Sequence, residues 1–146
     1  SYSDDPSKLI VYIYNEERII ENGTWTYANP LSFDFSIEDT LARYNVFLEL
    51  NHRDDYAAAN AYAKLFVKLP DGTVREQQVS FEIASSQGEW HGKCSGGSCL
   101  NRLSFMPNAS FEQQGDYQIR FEQFTRKDSL QGIESLRLIV QKVKQD

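Results

Sequence analysis

An all-β fold, an antiparallel β-sandwich of jelly-roll type in a single domain, is what this sequence predicts, and three observations predict it. Apolar and polar residues alternate with a period of two: Leu31, Phe33, Phe35 and Ile37 are interleaved with Ser32, Asp34 and Ser36. A strand points successive side chains to opposite faces, so this period buries one face and wets the other. Aromatics make up 13% of the chain, and half-buried sheets favour them. Turn signals recur at roughly 10–15-residue spacing, which points to a sandwich or jelly roll rather than a parallel sheet.

The elements follow in order. Residues 1–8 are polar, hold Asp4, Asp5 and Pro6, and are expected to form a flexible leader to a domain spanning 9–146. A short apolar run predicts a first strand over 9–14. Asn22-Gly23 marks a turn, and Thr24-Trp25-Thr26-Tyr27 a short extended piece before the strand over 31–37. Tyr44, Val46, Leu48 and Leu50 alternate in a further strand. Residues 54–63 are alanine-rich and read as a loop leading into a strand with Leu65, Val67 and Leu69 on one side. Pro70-Asp71-Gly72 then predicts a hairpin turn, because Pro presets its φ and Gly accepts a positive one. Val79, Phe81 and Ile83 continue the partner strand. Residues 88–97 read as a polar, Gly-bearing loop, and Leu100, Leu103 and Phe105 as a short strand ending at Pro107. Tyr117, Ile119 and Phe121 give a clean alternation. The stretch 133–143 fits a helix face as well as a strand; the β context selects the strand, for eight to nine in all.

A chain of 146 residues buries roughly 70% of its unfolded surface, enough for one core without a metal. The net charge of −6 argues against a nucleic-acid partner, which needs clustered Lys and Arg. The two cysteines, Cys94 and Cys99, bracket Ser95-Gly96-Gly97-Ser98, and this spacing predicts a disulfide, with free thiols the alternative. A zinc site is disfavoured because four ligands are wanted and His91 alone lies nearby.

No catalytic residues, metal ligands or cofactors are assigned. The sequence holds no nucleophile elbow, P-loop or zinc-protease motif. His52, followed by Arg53, Asp54 and Asp55, is placed in a polar loop at a strand end rather than in an acid–base or metal role. Trp25 is expected in the core. Trp90 sits in a Gly-rich polar segment, where a platform for sugar rings and a buried packing role are both open. Asn22-Gly23-Thr24 and Asn108-Ala109-Ser110 match a glycosylation pattern that is common by chance.

The order of particular residues resembles the gliding-motility lipoprotein family of GldH type. The likeness is carried by Trp25-Thr26-Tyr27 with Asn29-Pro30-Leu31-Ser32-Phe33-Asp34-Phe35. It continues through Tyr44-Asn45-Val46, His52-Arg53-Asp54-Asp55-Tyr56, Leu69-Pro70-Asp71-Gly72 and Trp90-His91-Gly92-Lys93. Asn101-Arg102-Leu103-Ser104-Phe105, Gly115-Asp116-Tyr117, Glu122-Gln123, Arg126 and Leu130-Gln131-Gly132-Ile133 complete it. The resemblance implies a non-enzymatic lipoprotein of a Bacteroidetes-type cell envelope, held by a lipidated Cys that precedes this sequence, with its domain in the periplasm or at the surface. It implies partners among other envelope lipoproteins and motility or secretion proteins, and it carries over no catalytic residue. Cys94 and Cys99 are not part of the family pattern. A docking patch rimmed by Trp90, Asn101 and Arg102 is expected on such a domain, and a carbohydrate-binding module is the alternative.

Overall fold

The structure is a computed structural model and describes residues 11–54, 60–82, 93–124 and 129–143. The expected leader therefore lies outside the described residues, as does Trp90. Among the described residues eleven strands run in chain order: β1 (Val11–Ile19), β2 (Thr24–Thr26), β3 (Leu31–Ile37), β4 (Tyr44–Arg53), β5 (Asn60–Lys68), β6 (Val74–Glu82), β7 (Lys93–Ser95), β8 (Ser98–Ala109), β9 (Gly115–Gln123), β10 (Ser129–Gln131) and β11 (Ile133–Lys142). One sheet has the order β1-β11-β4-β8-β7 and the other β3-β9-β5-β6, while β2 and β10 form a small ribbon. Every pairing is antiparallel. Chain neighbours such as β3 and β4, β4 and β5, or β8 and β9 lie in facing sheets, which is the wrapping of a jelly roll.

Alternation builds the core. Phe33, Phe35 and Ile37 of β3, with Tyr117, Ile119 and Phe121 of β9, face Val46, Leu48 and Leu50 of β4 and Leu136, Leu138 and Val140 of β11 in one buried cluster. Phe33 meets Phe121 edge-on at 5.9 Å and Phe35 stacks on Tyr117 at 5.8 Å, geometries that suit the ring quadrupole. Trp25 is buried, as its sequence context predicts, and its indole Nε1 donates to the Asn29 carbonyl at 3.0 Å. The ambiguous stretch at 133–143 is strand β11, the central partner of both β1 and β4.

Several boundaries differ from the sequence reading. The first strand continues to Ile19, because an edge strand exposes both faces of its second half and loses the apolar alternation. The short strand expected to end at Pro107 is the twelve-residue β8, which passes through that proline. The register against β4 slips there, Tyr44 opposing Ala109 and Val46 opposing Met106, and a bulge tolerates a missing N–H. The expected loop before it contains β7, paired with β8 through Cys94 opposite Cys99. Gly96 and Gly97 take φ of 59° and 88° between those strands, the left-handed pair that a two-residue hairpin turn requires. The strand from Tyr44 reaches Arg53 and so includes His52.

The strand directions give the sandwich two distinct ends. The near end gathers the start of β1, the finish of β11 and the connections 38–43, 70–73 and 110–114. There Pro70 approaches to 3.0 Å from where a Cβ on Gly115 would stand. The far end gathers the 3₁₀ turn Glu21–Gly23, the finish of β4, the β7–β8 turn and the start of β11.

Candidate functional site

The far end holds a cleft of about 630 Å³ between the finish of β1, the 3₁₀ turn, β4, β8 and β11. Its residues come from four strands because outward positions fall into cross-strand rows. Ser135 opposes Ile19 on one side and Asn51 on the other, and Asn51 in turn opposes Leu100. Asn51 Nδ2 donates to Ser135 Oγ at 2.9 Å, and Ser135 Oγ donates to Glu17 Oε2 at 2.9 Å. Ser98 Oγ donates to Glu134 Oε1 at 2.7 Å. Arg53 stands exposed at the mouth. Ile19 is 71% exposed on the rim.

Backbone bonds fix the walls. Arg53 N–H donates to the Gly132 carbonyl at 2.7 Å, Gly132 N–H to Gly23 at 2.8 Å and Asp54 N–H to Gly97 at 2.8 Å. One residue row closer to the near end, Glu17, Arg137, Glu49 and Arg102 alternate in charge across four strands. Arg137 lies 3.6 Å from Glu17 and 3.8 Å from Glu49, and Arg102 lies 3.6 Å from Glu49. Glu49 stands between two bases and Glu17, on the edge strand, beside one, so opposite charges meet along the row.

His52 lies beneath this surface, and its position corrects the sequence reading. It is fully buried rather than in a polar loop, because β4 continues past Leu50 and the alternation carries position 52 inward. Its Nδ1 lies 2.8 Å from the Arg53 carbonyl and its Nε2 lies 3.0 Å from Asn101 Nδ2. A carbonyl only accepts and an amide nitrogen only donates. The ring therefore carries its proton on Nδ1 and accepts at Nε2, and the histidine serves to tie β4 to β8.

The other residues singled out in the sequence are placed as follows. Cys94 and Cys99 form a disulfide with a Cα–Cα distance of 4.0 Å across the β7–β8 hairpin; Cys94 is exposed and Cys99 buried. Asn101 and Arg102 are consecutive on β8 and point to opposite faces, Asn101 to His52 and Arg102 over the Phe47 ring at 4.2 Å. The geometry thus separates two of the three expected patch residues, while the third lies outside the described residues. Asn22 and Asn108 both adopt positive φ among the described residues, 58° and 52°, a conformation asparagine tolerates in turns. Glu17, Asn51, Ser98 and Glu134 were not legible as a group, since only the sheet register joins strands so distant in sequence.

Five perturbed titratable groups gather at the near end. The hydrogen bond from Lys142 holds the Asp39 carboxyl below its ordinary value of 3.8, helped by the Leu41 N–H, and the same pair raises Lys142. Burial raises Tyr44 and Tyr117, and the Thr73 N–H lowers Asp71. These groups lock turns. Chemically, the far-end cleft offers hydroxyls, amides, a guanidinium and the Glu134 carboxylate, which already accepts from Ser98.

Comparison with known proteins adds a family. The residue pattern of the GldH lipoprotein family matches residues 12–139. A gliding motility lipoprotein GldH homolog of Christiangramia forsetii is 25% identical over 85% of this chain and 76% of its own length. The gliding motility lipoprotein GldH of Flavobacterium johnsoniae is 19% identical over 88% of this chain and 83% of its own. Among solved structures, a carbohydrate-binding module specific for non-crystalline cellulose is similar at 11% identity, over 89% of this chain and 72% of that one, with a TM-score of 0.44.

Proposed function

The chain belongs to the GldH lipoprotein family, and from that premise we propose that it is a non-enzymatic envelope protein that works by docking. A lipid attached before Ser1 holds it at a membrane, with the domain in the periplasm or at the surface. The far end, turned away from the anchor, contacts other envelope lipoproteins or components of the motility and secretion apparatus. Antiparallel β1 carries the reading: it begins at the near end with Val11 and delivers Ile19, 71% exposed, to the rim of the far-end cleft. Exposed aliphatic side chains beside a polar cleft with one cation suit a protein partner, whose backbone and side chains supply both kinds of contact. Among the described residues, His52 and the two cysteines are tied into the fold.

Photo-crosslinking in living cells tests the proposal. A photoreactive residue at Ile19 or Leu100 should form an adduct with a defined envelope protein, and one at Gln78 on the outer face of the other sheet should not. Loss of gliding or protein secretion on Arg53→Glu, with the folded protein still present in the envelope, would tie that contact to function. Equal adducts at all three positions, or none, would remove the far end from the docking role.

A further inference from the structure

The disulfide has two unequal halves. Cys99 lies on β8 with none of its surface open to solvent, and it opposes His52 of β4, which is as fully buried. Cys94 lies on β7, where all three residues are exposed. Among the described residues β7 is the outermost strand on its side of the sheet. The two cysteines oppose each other directly across the hairpin. Their bridge therefore lies across the strands, with β4 behind Cys99 and the sheet edge behind Cys94. A thiolate attacks a disulfide in line with the sulfur–sulfur bond, from behind the sulfur it joins, and access decides which sulfur is taken. The line behind Cys99 runs into β4 and its buried histidine. The line behind Cys94 leaves the sheet at its edge.

We propose that Cys94 Sγ is a thiol-exchange site that takes the thiolate of a Cys-x-x-Cys oxidoreductase, and that exchange there unlatches one wall of the far-end cleft. The attacking sulfur bonds Cys94 Sγ, the bridge breaks, and Cys99 leaves as a thiolate that takes a proton from water. The second cysteine of the oxidoreductase then attacks its own partner sulfur in the mixed disulfide. Cys94 is released as a thiol and the oxidoreductase departs as a disulfide. Two electrons have passed to the bridge, and the reverse sequence closes it. Little else holds β7. It adds three exposed residues to β8 and so buries almost nothing, and a hairpin is marginal in water without packing. The turn that the bridge secures carries two bonds to the cleft. The Gly97 carbonyl accepts from the Asp54 N–H at 2.8 Å, and Ser98 Oγ donates to Glu134 Oε1 at 2.7 Å. With β7 released the turn loses its fixed shape, and the Glu134 carboxylate becomes available in the cleft that Arg53 also lines. The effect on docking rests on the docking reading given above.

The test mixes the full chain, folded and oxidised, with an excess of a reduced thioredoxin-type protein whose second active-site cysteine is serine, so that the mixed disulfide is not resolved. Acid-quenched samples should hold one adduct, mapped by mass spectrometry to Cys94, with Cys99 a thiol. Adduct on Cys99, an even split, or an adduct from the urea-unfolded chain and none from the folded one would overturn the assignment. The latch is read by amide NMR of the isotope-labelled chain. Complete reduction with dithiothreitol should move the Asp54 and Ser98 signals toward coil positions and leave that of Ile119, on β9, in place. An unmoved Asp54 signal would show that the turn holds without the bridge and would overturn the latch. Neither measurement contains an envelope partner, so failure of the docking reading, seen as absent photo-adducts, is told apart from failure of the exchange site.

Discussion

The inward row of β4 begins with Tyr44 and ends with His52, and the two residues hold the opposite ends of the sandwich in different ways. Between them Val46, Leu48 and Leu50 are fully or almost fully buried and purely apolar. Tyr44 donates to a carbonyl five residues back in the chain, and His52 reaches Asn101, forty-nine residues on. Tyr44 thus locks the near end through a local bond to Asp39, which Lys142 also reaches from β11, and His52 locks the far end through a contact that exists only once the sheet has formed. Local locks form early and cheaply, since they close short loops, and long-range ones add stability only after the strands have docked. The far end should accordingly be the more costly to damage.

Four measurements can break that contrast or sharpen it. His52→Ala should cost about 2–4 kcal/mol in urea unfolding, since it leaves a cavity and strands the Asn101 amide. Removing both partners, in His52→Leu with Asn101→Leu, should recover part of that loss; no recovery would mean that the ring matters by shape alone. Replacing Cys94 and Cys99 together by alanine should lower stability by about 2 kcal/mol, the chain-entropy value for so short a loop. Reductant should destabilise the unmodified protein by a similar amount and leave the double variant unchanged. Tyr44→Phe keeps the buried ring and removes one hydrogen bond, for a loss of about 1 kcal/mol. If it equals His52→Ala in cost, the two ends are held alike and the contrast fails.

The smallest effect is on pH. The Asp39 carboxyl is depressed by Lys142, so its contribution is present above the ordinary value of 3.8 and is lost as pH falls through the lower folded-state value. Lys142 is raised, so its contribution is present below 10.5 and is lost as pH climbs through the higher folded-state value. Both side chains are well exposed, and solvent screening keeps the effect small. Asp39→Asn should flatten the acid limb of the Tm profile by a margin near the limit of detection. A large flattening would show the near-end turn to be the stronger lock.

What was legible in the sequence divides along the same line. Alternation announced β3, β4, β5 and β9 with Phe33, Leu48, Leu65 and Ile119 turned inward, because a period of two is a local signal. The Cys94–Cys99 bridge was legible from a spacing of five. His52 was misplaced because a polar residue within an apolar alternation looks like its end, and a partner that lets it stay buried, Asn101, lies on another strand. β1 past Tyr14 and β8 past Pro107 were missed because an edge strand and a bulged strand relax the pattern that identifies them. The cleft was illegible for a further reason. Glu17, Asn51, Ser98 and Glu134 meet through register, and a single sequence does not contain register until the sheet order is known.

β1 also decides how the domain carries a pull. Eight of its residues pair with β11, from Val11 opposite Lys142 to Ile19 opposite Ser135. On the proposed arrangement, tension between a membrane at the Val11 end and a partner at the far end would run parallel to the strand, so the rungs of that ladder would be loaded together in shear. Pulling Val11 and Lys142 apart, which oppose each other at the same end, would instead open the rungs one by one. An anchored domain gripped at its opposite end meets mechanical force along its strong axis.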